Sequence, residues 1–374
     1  MTGHYLDNAA TSFPKPAGVV EAVRDFMLYA GANPGRSGHR LALAAGRTVD
    51  KARRSLAQLL QVEDEADLFF GLNCTDMLNT AIQGIVEPGW EVATTIWEHN
   101  SVLRPLNELQ SRGLITLRTA ATIEKAMTKQ TKLVVTTHAS NVTGAIQPIE
   151  SIAALCQMRG ALLLVDAAQT AGVLPLYPEL WGIDMVAMPG HKGLLGPMGT
   201  GALYARKGLA LRPLRQGGTG TSSASVLQPQ ERPERFEAGT VNAPGLAGLA
   251  AGLDYVLKNR ASIYAHEQLL AKLLLQGLRR LPGVKVYAPE GALGRVGTVS
   301  FNLGALPSGL VADKLAQRQI CVRAGLHCAP LAHVALGTPD QGAVRASIGP
   351  FNTASDIAAL LRALEEIGRE EGLR

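Results

Sequence analysis

Several things are scarce in this 374-residue chain. It has four cysteines, Cys74, Cys156, Cys321 and Cys328, with no CxxC pair and no regular spacing. That excludes a disulfide scaffold and fits thiols kept reduced in a cytoplasmic setting. Charged residues make up only 18% and hydrophobic ones 47%, which excludes a disordered solvating chain. No apolar run approaches the roughly 18–20 residues of a membrane span, and MTGHYLDNAATS at the start resembles no targeting leader. The net charge of +5, from 36 Lys and Arg against 31 Asp and Glu, is spread along the chain, so neither nucleic acid nor a membrane surface is indicated. Only 206–215 (RKGLALRPLR) lacks acids, and it reads as a solvated loop. GGTGTSS at 217–223 lacks the GxxxxGK[ST] pattern of a phosphate loop, and no repeat of solenoid period is present.

What is present is an alternation of short apolar runs with segments of helical period, the pattern of an α/β protein on a mostly parallel sheet. Strands are expected at 67–71, 91–96, 132–137, 161–166, 184–188 and 201–205. Helices are expected at 75–86, with Thr75 as N-cap, and at 149–159, ending at Gly160. The Gly-, Ser- and Pro-rich stretch 217–235 reads as a long loop. A long helix over 244–281 leads into a second texture: strands at 284–288, 296–302, 320–324 and 343–348, and helices at 309–318 and 355–371. The expected division is a large domain over 15–250 and a smaller α+β domain formed by 1–14 with 251–374.

In an open parallel sheet, ligands sit beyond the carboxyl ends of the strands. The residues there are Cys74-Thr75-Asp76, Glu98-His99-Asn100, Asn141 in HASNVTG, Asp166 followed by Gln169, and His191-Lys192 in GHKG. A strand-end carboxylate can keep a pyridinium nitrogen protonated, a lysine can form a Schiff base, a histidine can stack on a ring, and a helix N-terminus can hold phosphate. The set suits an aromatic, phosphorylated, aldehyde-bearing cofactor.

Ten stretches, among them YLDNAATSFPKP (5–16), NPGRSGHR (33–40), EHNS (98–101), DAAQTAG (166–172), GHKGLLGPMGTG (190–201), FEAGTVN (236–242), RAGLHCAP (323–330) and VRASIGPFNT (344–353), occur in an order that resembles the class V aminotransferase group of fold-type I pyridoxal-phosphate (PLP) enzymes, and within it the cysteine desulfurases. The resemblance implies a seven-stranded, mostly parallel sheet and pyridoxal 5'-phosphate as cofactor. It implies Lys192 as the Schiff-base lysine, Asp166 on the pyridine nitrogen, Gln169 on the ring hydroxyl, and His99 over the ring, moving protons. Thr75, Cys74 through its backbone N–H, and His191 would cup the phosphate, and Thr240 would reach it from the partner subunit of a homodimer. Asn141, Arg345 and Ala10 would contact the substrate, the guanidinium binding both carboxylate oxygens.

Cys328 aligns with the nucleophile of the desulfurases, in the short RxGxHCA form of their second subgroup. The implied reaction converts L-cysteine, or a similar small amino acid, to L-alanine and leaves sulfur as a persulfide on Cys328 for an acceptor protein. A related lyase acting on selenocysteine or cystine, or an aminotransferase, would share the same cofactor residues, and a phosphate- or nucleic-acid-binding module is the reading from another class. Cys156 and Cys321 are expected to be buried packing residues. Cys74 could alternatively be a second reactive thiol. Cys321, His327, Cys328 and His333 match no standard zinc spacing, so no metal is expected.

Overall fold

The computed structural model describes residues 3–35, 38–288 and 294–373. Residues 36 and 37 of the NPGRSGHR stretch lie outside the described residues. After a short strand β1 (His4–Tyr5), seven strands follow in the large sheet: β2 (Leu68–Gly71), β3 (Trp90–Thr95), β4 (Ile115–Ala120), β5 (Thr131–Thr137), β6 (Leu162–Asp166), β7 (Met185–Pro189) and β8 (Gly201–Ala205). Their order is β2-β8-β7-β6-β5-β3-β4, and only β8 runs against the rest. Central strands such as β6 (LLLVD) and β7 (MVAMP) are nearly continuous apolar runs because helices cover both faces. The edge strand β4 (ITLRTA) is not among the strands expected from sequence. It pairs only with β3, and Thr116, Arg118 and Thr119 face solvent, so no apolar run marks it.

The parallel direction carries the polar residues after β2, β3, β5, β6 and β7 to one edge of the sheet. The helix Cys74–Ile85 follows β2, and its N-cap is Asn73, whose side chain accepts from Asp76 N, in place of the expected Thr75. Asn73 lies in the extended region that a cap needs, whereas Thr75 is already inside the first turn. The helix Ile149–Arg159 ends at Gly160 in the left-handed region, as expected.

One helix, Ala243–Leu278, serves two cores. Leu246, Leu249 and Leu253 pack with Leu194 and Tyr204 behind the large sheet. Leu270, Leu274 and Leu278 pack with Phe301, Leu364 and Ile367. The second core lies against an antiparallel sheet of β9 (Val284–Tyr287), β10 (Thr298–Leu303), β12 (Arg323–Gly325) and β13 (Ala343–Ser347), in the order β12-β13-β10-β9. The segment expected as one strand over 320–324 is divided: β11 (Ile320–Cys321) pairs in parallel with β1, while β12 pairs with β13. This division corrects the expected burial of Cys321. In the two-stranded β1–β11 ribbon the residue alternate to buried Ile320 has no layer above it, and Cys321 is exposed. Cys156 is buried on its helix.

The acid-free run 206–215 is an irregular, largely exposed segment, as expected, but its arginines are paired. Arg206 pairs with Asp184 at 2.7 Å, Arg212 with Glu87 and Arg215 with Asp76, all supplied from distant parts of the chain. Among the described residues no helix is long and apolar enough to cross a membrane.

Candidate active site

At the carboxyl edge of the sheet, Asn73, Cys74, Thr75, His99, Ser101, Asn141, Asp166, Gln169, His191 and Lys192 line one pocket. Asp166 ends β6 and is 3% exposed. Its Oδ1 accepts from Ala168 N at 2.8 Å and faces Cys74 Sγ at 3.6 Å, whereas Oδ2 accepts no hydrogen bond from any described residue. Burial raises its pKa, opposed by the Ala168 N–H and the Lys192 charge. Burial also holds the Lys192 amine below the usual lysine range. The Cys74 thiol is driven well up by burial and by Asp166, which disfavours its thiolate form.

His99 caps the helix Asn100–Ser111: its Nδ1 accepts from Ser101 N at 3.0 Å and lies 2.9 Å from Ser101 Oγ. Burial, then the Lys192 charge, lowers its pKa to about 4, so the ring is neutral. With Nδ1 accepting from the main chain, the single hydrogen sits on Nε2. Ser101 Oγ is also 2.7 Å from Thr75 Oγ1, joining the phosphate-cup candidate to the histidine. His191 has its pKa lowered to about 4 by burial and then Lys192, and its buried Nδ1 has no partner among the described residues. Its carbonyl accepts from Thr11 Oγ1, Ser12 Oγ and Lys15 Nζ, which clamps the YLDNAATSFPKP segment onto the lysine loop. Gln169 Nε2 donates to Ala9 O at 3.2 Å, next to half-buried Ala10.

A second cluster adjoins this one. Arg345, on β13 and 2% exposed, donates through Nη1 to Asn141 O at 3.1 Å and through Nη2 to Asp7 Oδ1 at 3.0 Å, while its buried Nε has no partner among the described residues. Asn141 Nδ2 donates to His327 O at 2.7 Å, and Asn100 N donates to Cys328 O at 2.6 Å. Thus Cys328 is tied to the residue after His99, and the residue before it to Asn141. Cys328 is half-buried, with Arg323 Nη2 at 4.0 Å from its Sγ. His327 and Cys328 have φ of 50° and 57°. Each left-handed residue bearing a side chain costs on the order of 1 kcal/mol or more, so the turn persists only because its surroundings hold it.

The structure therefore brings Lys192, Asp166, Gln169, His99, Thr75, Cys74, His191 and Asn141 to one pocket, with Arg345, Ala10 and Cys328 joined to it through bonded neighbours. Thr240 stands apart. It is exposed and lines a different depression, with Gly71, Arg215 and Glu237. Ser101 and Asp7 escaped sequence reasoning although they stand inside the stretches EHNS and YLDNAATSFPKP, whereas Arg323 is near Cys328 already in the sequence. Glu98, placed at a strand end by the sequence but given no role there, is fully buried; its Oε1 accepts from Thr95 Oγ1 at 2.5 Å, and burial pushes its pKa up to about 8. Kept neutral, it adds no second negative charge beside Asp166. Among the described residues no three His, Cys, Asp or Glu side chains are grouped to hold a metal ion.

Comparison with known proteins gives a consistent picture. A family model described as aminotransferase class-V matches residues 4–360. A probable cysteine desulfurase of Methanothermobacter thermautotrophicus is 35% identical, the match covering 97% of this chain and 94% of that protein. A cysteine desulfurase of Dickeya dadantii is 32% identical over 98% and 92%. Among solved structures, the apo form of a cysteine desulfurase from Thermococcus onnurineus superposes with a TM-score of 0.93 at 33% identity, covering 98% of this chain and 95% of that one. An Escherichia coli cysteine desulfurase in its S-sulfonic acid form gives 0.88 at 28% identity, covering 100% and 96%.

Proposed function

This chain belongs to the aminotransferase class-V family, and from that premise we propose that it is a pyridoxal-phosphate-dependent cysteine desulfurase in which Cys328 takes the sulfur of L-cysteine. The observation that carries this reading is the hydrogen-bonded continuity from Arg345 through Asn141 and His327 to the Cys328 turn, with Cys328 O held in turn by Asn100. A carboxylate anchor and a half-buried thiol are thereby joined across two sheets.

The pocket fits the cofactor on its own unmet polar groups. Asp166 lines the pocket with an Oδ2 that accepts from no described residue, which calls for a protonated ring nitrogen, and His191 Nδ1, partnerless among the described residues, and the first turn of the helix Cys74–Ile85 suit a phosphate. Gln169 retains hydrogen-bonding capacity beyond its single bond to Ala9 O. When bound, pyridoxal phosphate supplies an aldehyde that condenses with amines and a ring that accepts electron density from Cα.

The chain's own residues do the rest. Arg345 binds the substrate carboxylate with its unpaired Nε and its remaining guanidinium donors. Lys192, whose amine burial biases toward the neutral form, takes the Cα proton at Nζ. Cys328, with Arg323 Nη2 4.0 Å from its Sγ, attacks the substrate Sγ through that sulfur. The Sγ–Sγ bond forms as the Cβ–Sγ bond breaks, its electron pair staying with the carbon skeleton. That skeleton takes up protons to leave as alanine, and the neutral His99, which lines the same pocket, has an Nε2–H to give. Cys328 keeps the sulfur as a persulfide until an acceptor protein removes it by thiol exchange. Exposed Thr240, which lines a different depression from Lys192, fits a phosphate contact in the partner subunit of a homodimer. Four free cysteines fit a cytoplasmic enzyme.

The test is a product assay with L-cysteine, L-selenocysteine and cystine, followed by peptide mass spectrometry of Cys328. Cys328→Ala should retain borohydride-reducible pyridoxal phosphate on Lys192 and release no sulfide from L-cysteine. Undiminished sulfide from that variant would refute Cys328 as the acceptor.

A further inference from the structure

Two side chains outside the pocket lead to the Cys328 turn. His327, 3% exposed, meets His333 through Nδ1 and Nε2 at 3.3 Å, the ring planes inclined by 29°. His333, fully buried in the helix Pro330–Leu336, continues through Nδ1 to Thr338 Oγ1 at 2.8 Å, and Thr338 N closes onto His333 O at 2.8 Å. Between them these residues form a buried chain, Thr338–His333–His327, that ends on the residue preceding the thiol.

We propose that His333 and Thr338 are positioning residues for Cys328: through His327 they hold the left-handed His327–Cys328 turn in the geometry needed for sulfur transfer. This inference rests on the reading of Cys328 as the sulfur acceptor. Each link of the chain contains one hydrogen shared between two heteroatoms, so the orientations and tautomers of the two rings are set together. Rotating His327 away would leave a buried nitrogen of His333 without its partner, a costly state. The carbonyls of the turn are already fixed by Asn141 and Asn100. The relay supplies the remaining restraint, on the His327 side chain, and so removes the freedom of two adjacent backbone units that would otherwise relax from φ of 50° and 57°. Burial, then the charge of Arg345, keeps His327 neutral, and burial does the same for His333. The chain is therefore held by directional bonds rather than by an ion pair, and its effect depends on their geometry.

The experiment uses the holoenzyme and compares Thr338→Val with Thr338→Ser, and His333→Ala with His333→Gln. Steady-state sulfide release gives kcat and KM for L-cysteine. Site-resolved alkylation by iodoacetamide, read by peptide mass spectrometry, gives the reactivity of Cys328 against exposed Cys321 in the same molecule. Loss of the relay should lower kcat roughly 10- to 100-fold, leave KM within about twofold, and shift the Cys328-to-Cys321 alkylation ratio by about threefold or more. Ser at 338 and Gln at 333 should restore most of both. If His333→Ala does not fold, the Thr338 pair decides. A wild-type kcat and alkylation ratio in Thr338→Val, or a loss that Thr338→Ser does not restore, would overturn the proposal. Sulfide release by Cys328→Ala would instead refute the underlying reading, whereas an inactive Cys328→Ala beside an unchanged Thr338→Val would refute the relay alone.

Discussion

Replacing Arg345 by alanine perturbs binding and fold together, and the structure allows the two to be separated. The guanidinium is 2% exposed and bridges Asn141 O at 3.1 Å and Asp7 Oδ1 at 3.0 Å, leaving a buried Nε unpaired. Losing a buried charged contact to the substrate carboxylate costs about 2–4 kcal/mol, which at 1.4 kcal/mol per decade raises KM for L-cysteine roughly 30- to 700-fold. The fold loses one charge-assisted and one charged-to-carbonyl hydrogen bond. Asp7 keeps 22% side-chain exposure and can rehydrate, so we expect a stability loss nearer 2 than 5 kcal/mol. Asp7→Asn is the separating variant: it weakens the same bridge but leaves the cation in place, so stability should fall by about 1–2 kcal/mol with KM changing less than about threefold. Sulfide release across a range of cysteine concentrations and urea midpoints for both variants are the measurements. An unchanged KM in Arg345→Ala would move the carboxylate site elsewhere. Equal KM increases in Arg345→Ala and Asp7→Asn would mean that the effect travels through the fold rather than through direct contact.

Glu267, 4% exposed on the helix shared by the two cores, has its pKa raised by burial from 4.5 to about 8. The native state therefore holds that proton more tightly than the unfolded chain. Its stabilising effect is complete below about pH 4.5 and is lost as pH rises through 8, at most on the order of 4–5 kcal/mol. Glu267→Gln should flatten the fall in urea midpoint between pH 6 and 9, and identical pH profiles for variant and wild type would refute this. Gly193→Ala places a Cβ 2.4 Å from Ala171 O, a main-chain atom that cannot swing aside. The loop carrying Lys192 must shift, at roughly 1–3 kcal/mol. A lower melting temperature and reduced borohydride trapping of pyridoxal phosphate at Lys192 are expected. Wild-type values for both would show that the loop tolerates the methyl group.

The polar residues that follow the parallel strands were legible in the sequence, because apolar runs of strand length locate the sheet and parallel direction sends every strand end to one edge. Asp166, Gln169, His99, Asn141 and Lys192 follow from that rule together with the motif order, and the helix Ile149–Arg159 announces its own end through Gly160. Where the local signal is weak, sequence reasoning slips. β4 has half its residues in solvent and no apolar run, and the cap at Asn73 is displaced by two residues from the threonine that looked equivalent.

What only the tertiary structure decided are the pairings of groups remote in the chain or differently exposed. Asp7 and Arg345 are separated by 338 positions, and Asn141 and His327 by 186, so no periodicity could join them. Cys321 and Cys328 are both cysteines near one stretch of sequence. One is exposed on a two-stranded ribbon, while the other sits half-buried beside Arg323 in a left-handed turn. Residue type and spacing determine which chemistry the chain carries. Burial and long-range hydrogen bonds decide the surroundings each thiol meets, because both depend on what the fold packs against each side chain.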